Sequence, residues 1–189
     1  MTDPMASRET PEVVGVEPSV AARSFRELFE GELSYVWHTL RRLGVREADR
    51  LDLAQEVFVT VHGLQSDFDP TRPVRPWLFG IAYRIALRYR ALARHGREVM
   101  GDEVDAADKA PLADEALARR QREQLVARAI GQIEIARRAV FLMSEIDGCA
   151  MPEIAETLGI PLNTGYSRLR LAREDFEAAV RRLMKASPS

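Results

Sequence analysis

Residues 147–173 read DGCAMPEIAETLGIPLNTGYSRLRLAR, and the grammar of this stretch decides the architecture. Two segments of helical apolar spacing flank Leu158-Gly159-Ile160. A helix-turn-helix needs a small residue where its helices cross, met by Ala155. It needs a residue tolerant of positive φ in the turn, met by Gly159, and an apolar plug after it, met by Ile160. Pro152 suits a first helical turn, where a missing N–H costs nothing. The second helix then begins near Pro161. Asn163, Thr164, Tyr166 and Ser167 fall in its first turns, where a recognition helix meets base edges, and Arg168, Arg170 and Arg173 supply phosphate or base contacts. The plainer alternative is a packed helical hairpin with a solvated arginine face.

Working outward, the same spacing recurs at Leu125, Ala129 and Ile133, at Ala139, Val140, Met143 and Ile146, and at Leu169, Phe176 and Val180. These stripes at intervals of three and four are amphipathic helices. Residues 115–185 are therefore read as one small helical domain.

Before it lies a charge boundary. Thr71 to Arg97 carries seven arginines and no acid, whereas Glu98 to Leu117 carries seven acids against one lysine. The two cancel in the net charge of −2 and the pI near 6.0, so the global value hides a basic segment of the kind that meets nucleic acid. The acidic stretch, with Gly101 and Pro111 and few large apolar residues, has linker composition, and residues 98–114 are assigned to it.

Upstream, Phe25, Leu28, Phe29, Leu33, Val36, Trp37 and Leu40 make one helical stripe ending near Gly44, and Leu53, Val57, Val61 and Leu64 make a second. Pro70, Pro73 and Pro76 force a shaped loop over Ser66 to Pro76. Helical spacing resumes from Trp77 through Leu78, Ile81, Ala82, Ile85 and Leu92. Residues 21–97 thus form an N-terminal helical domain, preceded by a leader over residues 1–20 with no sustained apolar period. The predicted fold is all-α: two small helical domains joined by an acidic flexible linker, the C-terminal one a helix-turn-helix.

Composition excludes several classes. At 189 residues and 46% apolar content the chain can bury a core, and one cysteine, Cys149, rules out an internal disulfide framework and a CxxC site. Cys149 itself is read as packing. No apolar run reaches membrane-spanning length, so no membrane insertion and a cytoplasmic setting are expected. His38, His62 and His95 lack metal-ligand spacing and no phosphate-binding glycine loop is present, so neither an enzyme nor a cofactor is expected.

These motifs together resemble the extracytoplasmic-function (ECF) sigma factors, whose region 4 carries a helix-turn-helix for the minus-thirty-five promoter element. IEIARRAVFLM, Ile133 to Met143, resembles the helix before it. DLAQEVFVTV, Asp52 to Val61, resembles the region-2 helix that docks on the clamp of core RNA polymerase, and its polar face is Asp52, Gln55 and Glu56. Trp77-Leu78 with Ile81-Ala82 resembles the helix that melts and reads the minus-ten element, and DFDPTRPVRP sits where the family captures a flipped base. Opening a duplex needs cations on the backbone and rings for unpaired bases. Arg72, Arg75, Arg84, Arg88, Arg90 and Arg94 supply the cations. Tyr83 and Tyr89 are the surface rings, whereas Trp77 lies on the apolar stripe and is assigned to packing.

The resemblance implies core RNA polymerase, promoter DNA and an anti-sigma factor as partners. It covers residues 24–184 with departures. The family usually has valine then lysine where this chain has Gly165 and Tyr166, and often Asn and Asp where it has Arg84 and Arg88. A helix-turn-helix regulator acting without core polymerase would share the C-terminal motif. The basic, aromatic N-terminal half distinguishes the two.

Overall fold

A computed structural model describes residues 25–64, 66, 68, 69, 71–96 and 114–186. The leader over residues 1–20 and residues 98–113 of the expected linker lie outside them. The described residues contain helices α1 Phe25–Arg42, α2 Glu47–Gly63, α3 Val74–Gly96, α4 Asp114–Gly131, α5 Ile135–Phe141, α6 Met151–Leu158 and α7 Leu162–Ala186, and no strand. Helices α1, α2 and α3 pack on one another, and α4, α5 and α6 each pack on α7.

Each boundary has a local cause. Helix α1 stops at Gly44, whose φ of 87° few side chains tolerate, and the turn closes with Val45 N donating to Leu40 O at 3.0 Å. Helix α3 starts at Val74, earlier than the proline pattern predicts, with Pro76 buried in its first turn. Proline is tolerated there because those N–H groups have no intrahelical partner anyway. Glu134 caps α5, its carboxylate accepting from the N–H groups of Ala136 and Arg137. Leu142–Ile146 then widens into a π-turn that the apolar spacing does not reveal, with Asp147 N donating five residues back to Leu142 O at 3.1 Å. Its consequence is that Met143 stays buried while Ile146, expected on the stripe, is exposed.

The helix-turn-helix is formed by α6 and α7. Gly159 adopts φ 65°, ψ 40°, and Ile160 N donates to Ala155 O at 2.9 Å. Gly165, the departure from the family pattern, is buried where the two helices meet. A Cβ there would stand 2.6 Å from Met151 Sδ. The volume a valine would fill is thus supplied from α6 by a flexible methionine.

The two helical units do not have separate cores. Val36, Leu40, Leu78, Ile81, Ile133, Leu142 and Ile154 belong to one contiguous buried cluster, and α6 packs directly against α3. Gly80 makes that approach possible: a Cβ there would meet Thr157 Cγ2 at 3.0 Å and Thr157 O at 3.3 Å.

Two arginines are buried with it, which neither charge nor spacing announces. Arg50 donates from Nε to Val45 O at 3.0 Å and lies 4.9 Å over the Trp37 ring. Arg138 donates to Ile133 O, to Gly131 O at the end of α4 and, at 3.4 Å, to Arg42 O at the end of α1.

The Met151–Gly165 contact is testable. Gly165→Val overfills the helix crossing and lowers stability by about 2 kcal/mol in denaturant unfolding. Adding Met151→Ala recovers a substantial part, and equal losses with and without it would show that the methionine is not what glycine accommodates.

Candidate nucleic-acid and polymerase interface

Helix α2 places its polar face outward. Asp52 and Gln55 are exposed, flanked by Leu51 and Val59, which are 59% and 71% exposed. Together they make one stripe opposite the buried Ala54, Val57 and Val61. Leu51 and Val59 were not among the expected residues, although both fall off the Leu53, Val57, Val61 stripe. Glu56, expected to be free for a partner, instead pairs with Arg88 of α3 because it sits at the edge where the two helices meet.

The expected cations of the loop and α3 divide by surroundings. Arg72 makes a bidentate pair with Glu156 of α6, at 2.6 and 2.7 Å. Arg75 pairs with Glu32 at 3.0 Å and lies 5.1 Å over the Tyr35 ring. Arg84 is exposed with no acidic partner among the described residues. Arg90 is turned inward over Gly44, half-buried, with its Nε unpartnered among the described residues. The side chain of Arg94 lies outside them.

Neither expected surface tyrosine is fully open. Tyr89 donates to Asp49 at 2.5 Å and accepts from Arg46 at 2.9 Å, which ties α3 to the start of α2. Tyr83 is half-buried, and that burial raises its pKa, with Arg168 nearby acting in the opposite sense. Trp77 packs on Phe68, ring centroids 4.7 Å apart.

On the recognition helix, Asn163, Tyr166, Ser167 and Arg170 are exposed at spacings of three and four and so share a face. Thr164 and Arg168 are half-buried. Arg170 pairs with Glu174 at 2.6 Å, and Arg173 pairs across to Glu145 at 2.6 Å. Ser167 Oγ donates back to Asn163 O at 2.9 Å.

Electrostatics are most perturbed between the units. Tyr35 of α1 donates to Asp147 Oδ2 at 2.8 Å. Burial holds the Asp147 carboxyl above its ordinary value, opposed by the Tyr35 hydrogen bond and by Arg42 and Arg75. Burial, with Glu153 and Asp147 nearby, pushes the Cys149 thiol up to about 12, so it stays protonated and is no reactive nucleophile. No helix among the described residues is long and apolar enough to cross a membrane.

A basic, ring-bearing helix that follows a proline-containing loop and is joined to a helix-turn-helix has the make-up of a helical DNA-binding protein. Residues 28–98 match the model described as Sigma-70 region 2, and residues 123–176 match that of Sigma-70, region 4. The chain is 30% identical over 164 residues to RNA polymerase sigma factor CnrH of Cupriavidus metallidurans, covering 82% of this chain and 86% of that one. It is also 30% identical over 152 residues to ECF RNA polymerase sigma factor SigL of Mycobacterium tuberculosis, covering 80% and 85%. The structure of CnrH in complex with the cytosolic domain of CnrY superposes with a TM-score of 0.59 at 27% identity, over 87% of this chain and 89% of that one. The sigma factor RpoE in complex with the anti-sigma factor NepR from Bartonella quintana shares the fold, with a TM-score of 0.65 at 18% identity over 83% and 96%. The chain belongs to the ECF RNA polymerase sigma factors.

The raised Asp147 carboxyl has a signed consequence. Folded protein holds that proton more tightly than unfolded chain, so the buried charge costs stability at pH 7, and the cost is relieved as pH falls through the raised value toward the ordinary carboxylate range. Asp147→Asn keeps an acceptor for Tyr35 and removes the charge. Its thermal midpoint exceeds wild type at pH 7, and the gap narrows toward pH 4. A gap independent of pH would exclude this assignment.

Proposed function

We propose that this sigma factor binds core RNA polymerase through α2 and reads a promoter through α3 and α7, in the division that the matches to regions 2 and 4 support. The observation that carries it is that both region models match in order in one chain whose basic segment and helix-turn-helix fall in the corresponding halves. Residues 21–97 act as the region-2 domain, 98–114 as the linker and 115–185 as the region-4 domain.

Asp52 and Gln55, with Leu51 and Val59 beside them, form the polymerase contact. Their mixed apolar and polar character suits a partner helix. Glu56 joins it by exchanging Arg88 for the polymerase. Arg72, Arg75, Arg84 and Arg88 track the minus-ten backbone, with Tyr83, Arg90 and Arg94 completing the set once DNA is engaged. Exposed ion pairs contribute about 1 kcal/mol or less, so a phosphate can displace their carboxylates. Asn163, Tyr166, Ser167 and Arg170 face the minus-thirty-five groove, with Thr164, Arg168 and Arg173 on its flanks.

No chemistry on a substrate is required. The free energy comes from contacts and counterion release, so DNA engagement weakens as salt rises. The protein acts in the cytoplasm, and an anti-sigma factor is its natural antagonist, as NepR is bound to RpoE in the structure from Bartonella quintana.

Purified protein mixed with bacterial core polymerase should initiate transcription from members of a promoter library. Asp52→Ala and Gln55→Ala should each weaken core binding roughly five- to tenfold, the cost of an interface anchor. Tight duplex binding without core, and no initiation, would overturn the reading.

A further inference from the structure

Among the described side chains of the loop and α3, Arg90 is the arginine that is withdrawn from water and given no acid. Arg72, Arg75 and Arg88 each reach a glutamate. Asp49, near the start of α2, is taken by Arg46 and Tyr89. Arg84 has no acid among the described residues either, but it is exposed and water serves it. Arg90 is half-buried, its Nε is covered, and no hydrogen-bond or ion-pair partner falls to it among the described residues. A guanidinium so placed loses hydration that an acceptor of negative charge restores.

A second cation faces it. A Cβ at Gly44 would stand 2.7 Å from Arg90 Nη1 and 3.1 Å from Arg138 Nη1. Both nitrogens thus lie over one glycine, no more than about 6 Å from each other, a gap that a tetrahedral oxyanion bridges with two hydrogen bonds of ordinary length. Gly44 is exposed, so this place is open to solvent on one side. The carbonyl end of α1 would repel an anion. Arg138 counters it by donating to Arg42 O at 3.4 Å. The wider surroundings are positive: His38, earlier on α1, is held below its ordinary pKa by partial burial first and then by Arg42, Arg41 and Arg50.

We propose that Arg90 and Arg138 form an oxyanion site over Gly44 that takes a phosphate group, as free inorganic phosphate in the absence of DNA and as a backbone phosphate once DNA is engaged. The planar guanidinium fork matches phosphate oxygens in pairs. Arg138 is the fixed wall of the site, held by its bonds to Ile133 O and Gly131 O. Arg90 is the side that reaches water. A phosphate between them joins α3 to the junction of α1 and α5, so it stabilises the folded chain by mass action. Uptake of the free anion does not depend on promoter reading. Its competition with DNA rests on the DNA role proposed for Arg90.

The 189-residue chain is titrated calorimetrically with inorganic phosphate, in chloride at matched ionic strength. Wild type should take up one phosphate, which raises its thermal midpoint. Arg90→Gln should weaken that binding at least tenfold, the scale of one hydrogen bond between charged groups. Arg90→Lys keeps the charge, loses the fork and should fall between them. Arg181→Gln, at an exposed arginine of α7, should bind as wild type does. The two sources of phosphate are separated by anisotropy of a labelled random-sequence DNA oligonucleotide. Added phosphate should weaken oligonucleotide binding to wild type beyond the effect of matched chloride, and should not do so in Arg90→Gln. Absence of phosphate uptake by wild type, or equal affinity in wild type and Arg90→Gln, would overturn the site. Uptake that depends on Arg90 without competition would uphold the site for the free anion and remove Arg90 from the proposed DNA contacts.

Discussion

The guanidinium of Arg138 is the point on which the packing of the two halves turns. It is 4% exposed, and a cation is costly to remove from water unless its donors are satisfied. Here they are spent on backbone carbonyls where helices end: Gly131 O at the end of α4, Ile133 O in the turn that follows it, and Arg42 O at the end of α1. Gly131 O and Arg42 O are among the carbonyls that a helix leaves without intrahelical donors and that carry its negative dipole end. One side chain thereby satisfies two helix termini from different halves, and α5, which carries it, is held between them. Arg50 repeats the device within the first half, bonding Val45 O beyond the α1 turn.

With the halves so placed, the distribution of charge acquires a meaning that a residue count lacks. The basic segment is not an open cationic face. Arg72, Arg75 and Arg88 each meet a glutamate, from α6, α1 and α2 respectively, and Arg173 of α7 meets Glu145. Apart from that of Arg75, whose partner Glu32 is mostly covered, these pairs are solvent-exposed and individually weak, so they set which anion an arginine meets in the free protein without committing it.

Glycine decides how near the helices come. Gly165 and Met151 exchange volume across the helix-turn-helix, so a residue that looks like a defect beside the family pattern is one half of a packing pair. Gly80 does the same between α3 and Thr157. Neither is marked by sequence spacing, because a glycine within a helical stripe looks identical whether it faces solvent or another backbone.

Much was legible in the chain itself: the all-α class, the helix-turn-helix at Gly159, the end of α1 at Gly44, the inward stripes of α1 and α2, and the outward position of Asp52 and Gln55. These follow from local rules, the helical period and the φ that glycine alone tolerates, which act over a few residues and need no knowledge of the rest. The start of α3 before Pro76 and the π-turn at Leu142–Ile146 escaped because first-turn prolines and single-residue register shifts leave the apolar spacing almost unchanged. What only the tertiary structure decided was which charged groups meet: Arg72 with Glu156, Glu56 with Arg88, Arg90 folded over Gly44, and Arg138 in the core. Those choices depend on the approach of elements far apart in the chain, and a charge carries no record in its own neighbourhood of the partner that packing will bring to it.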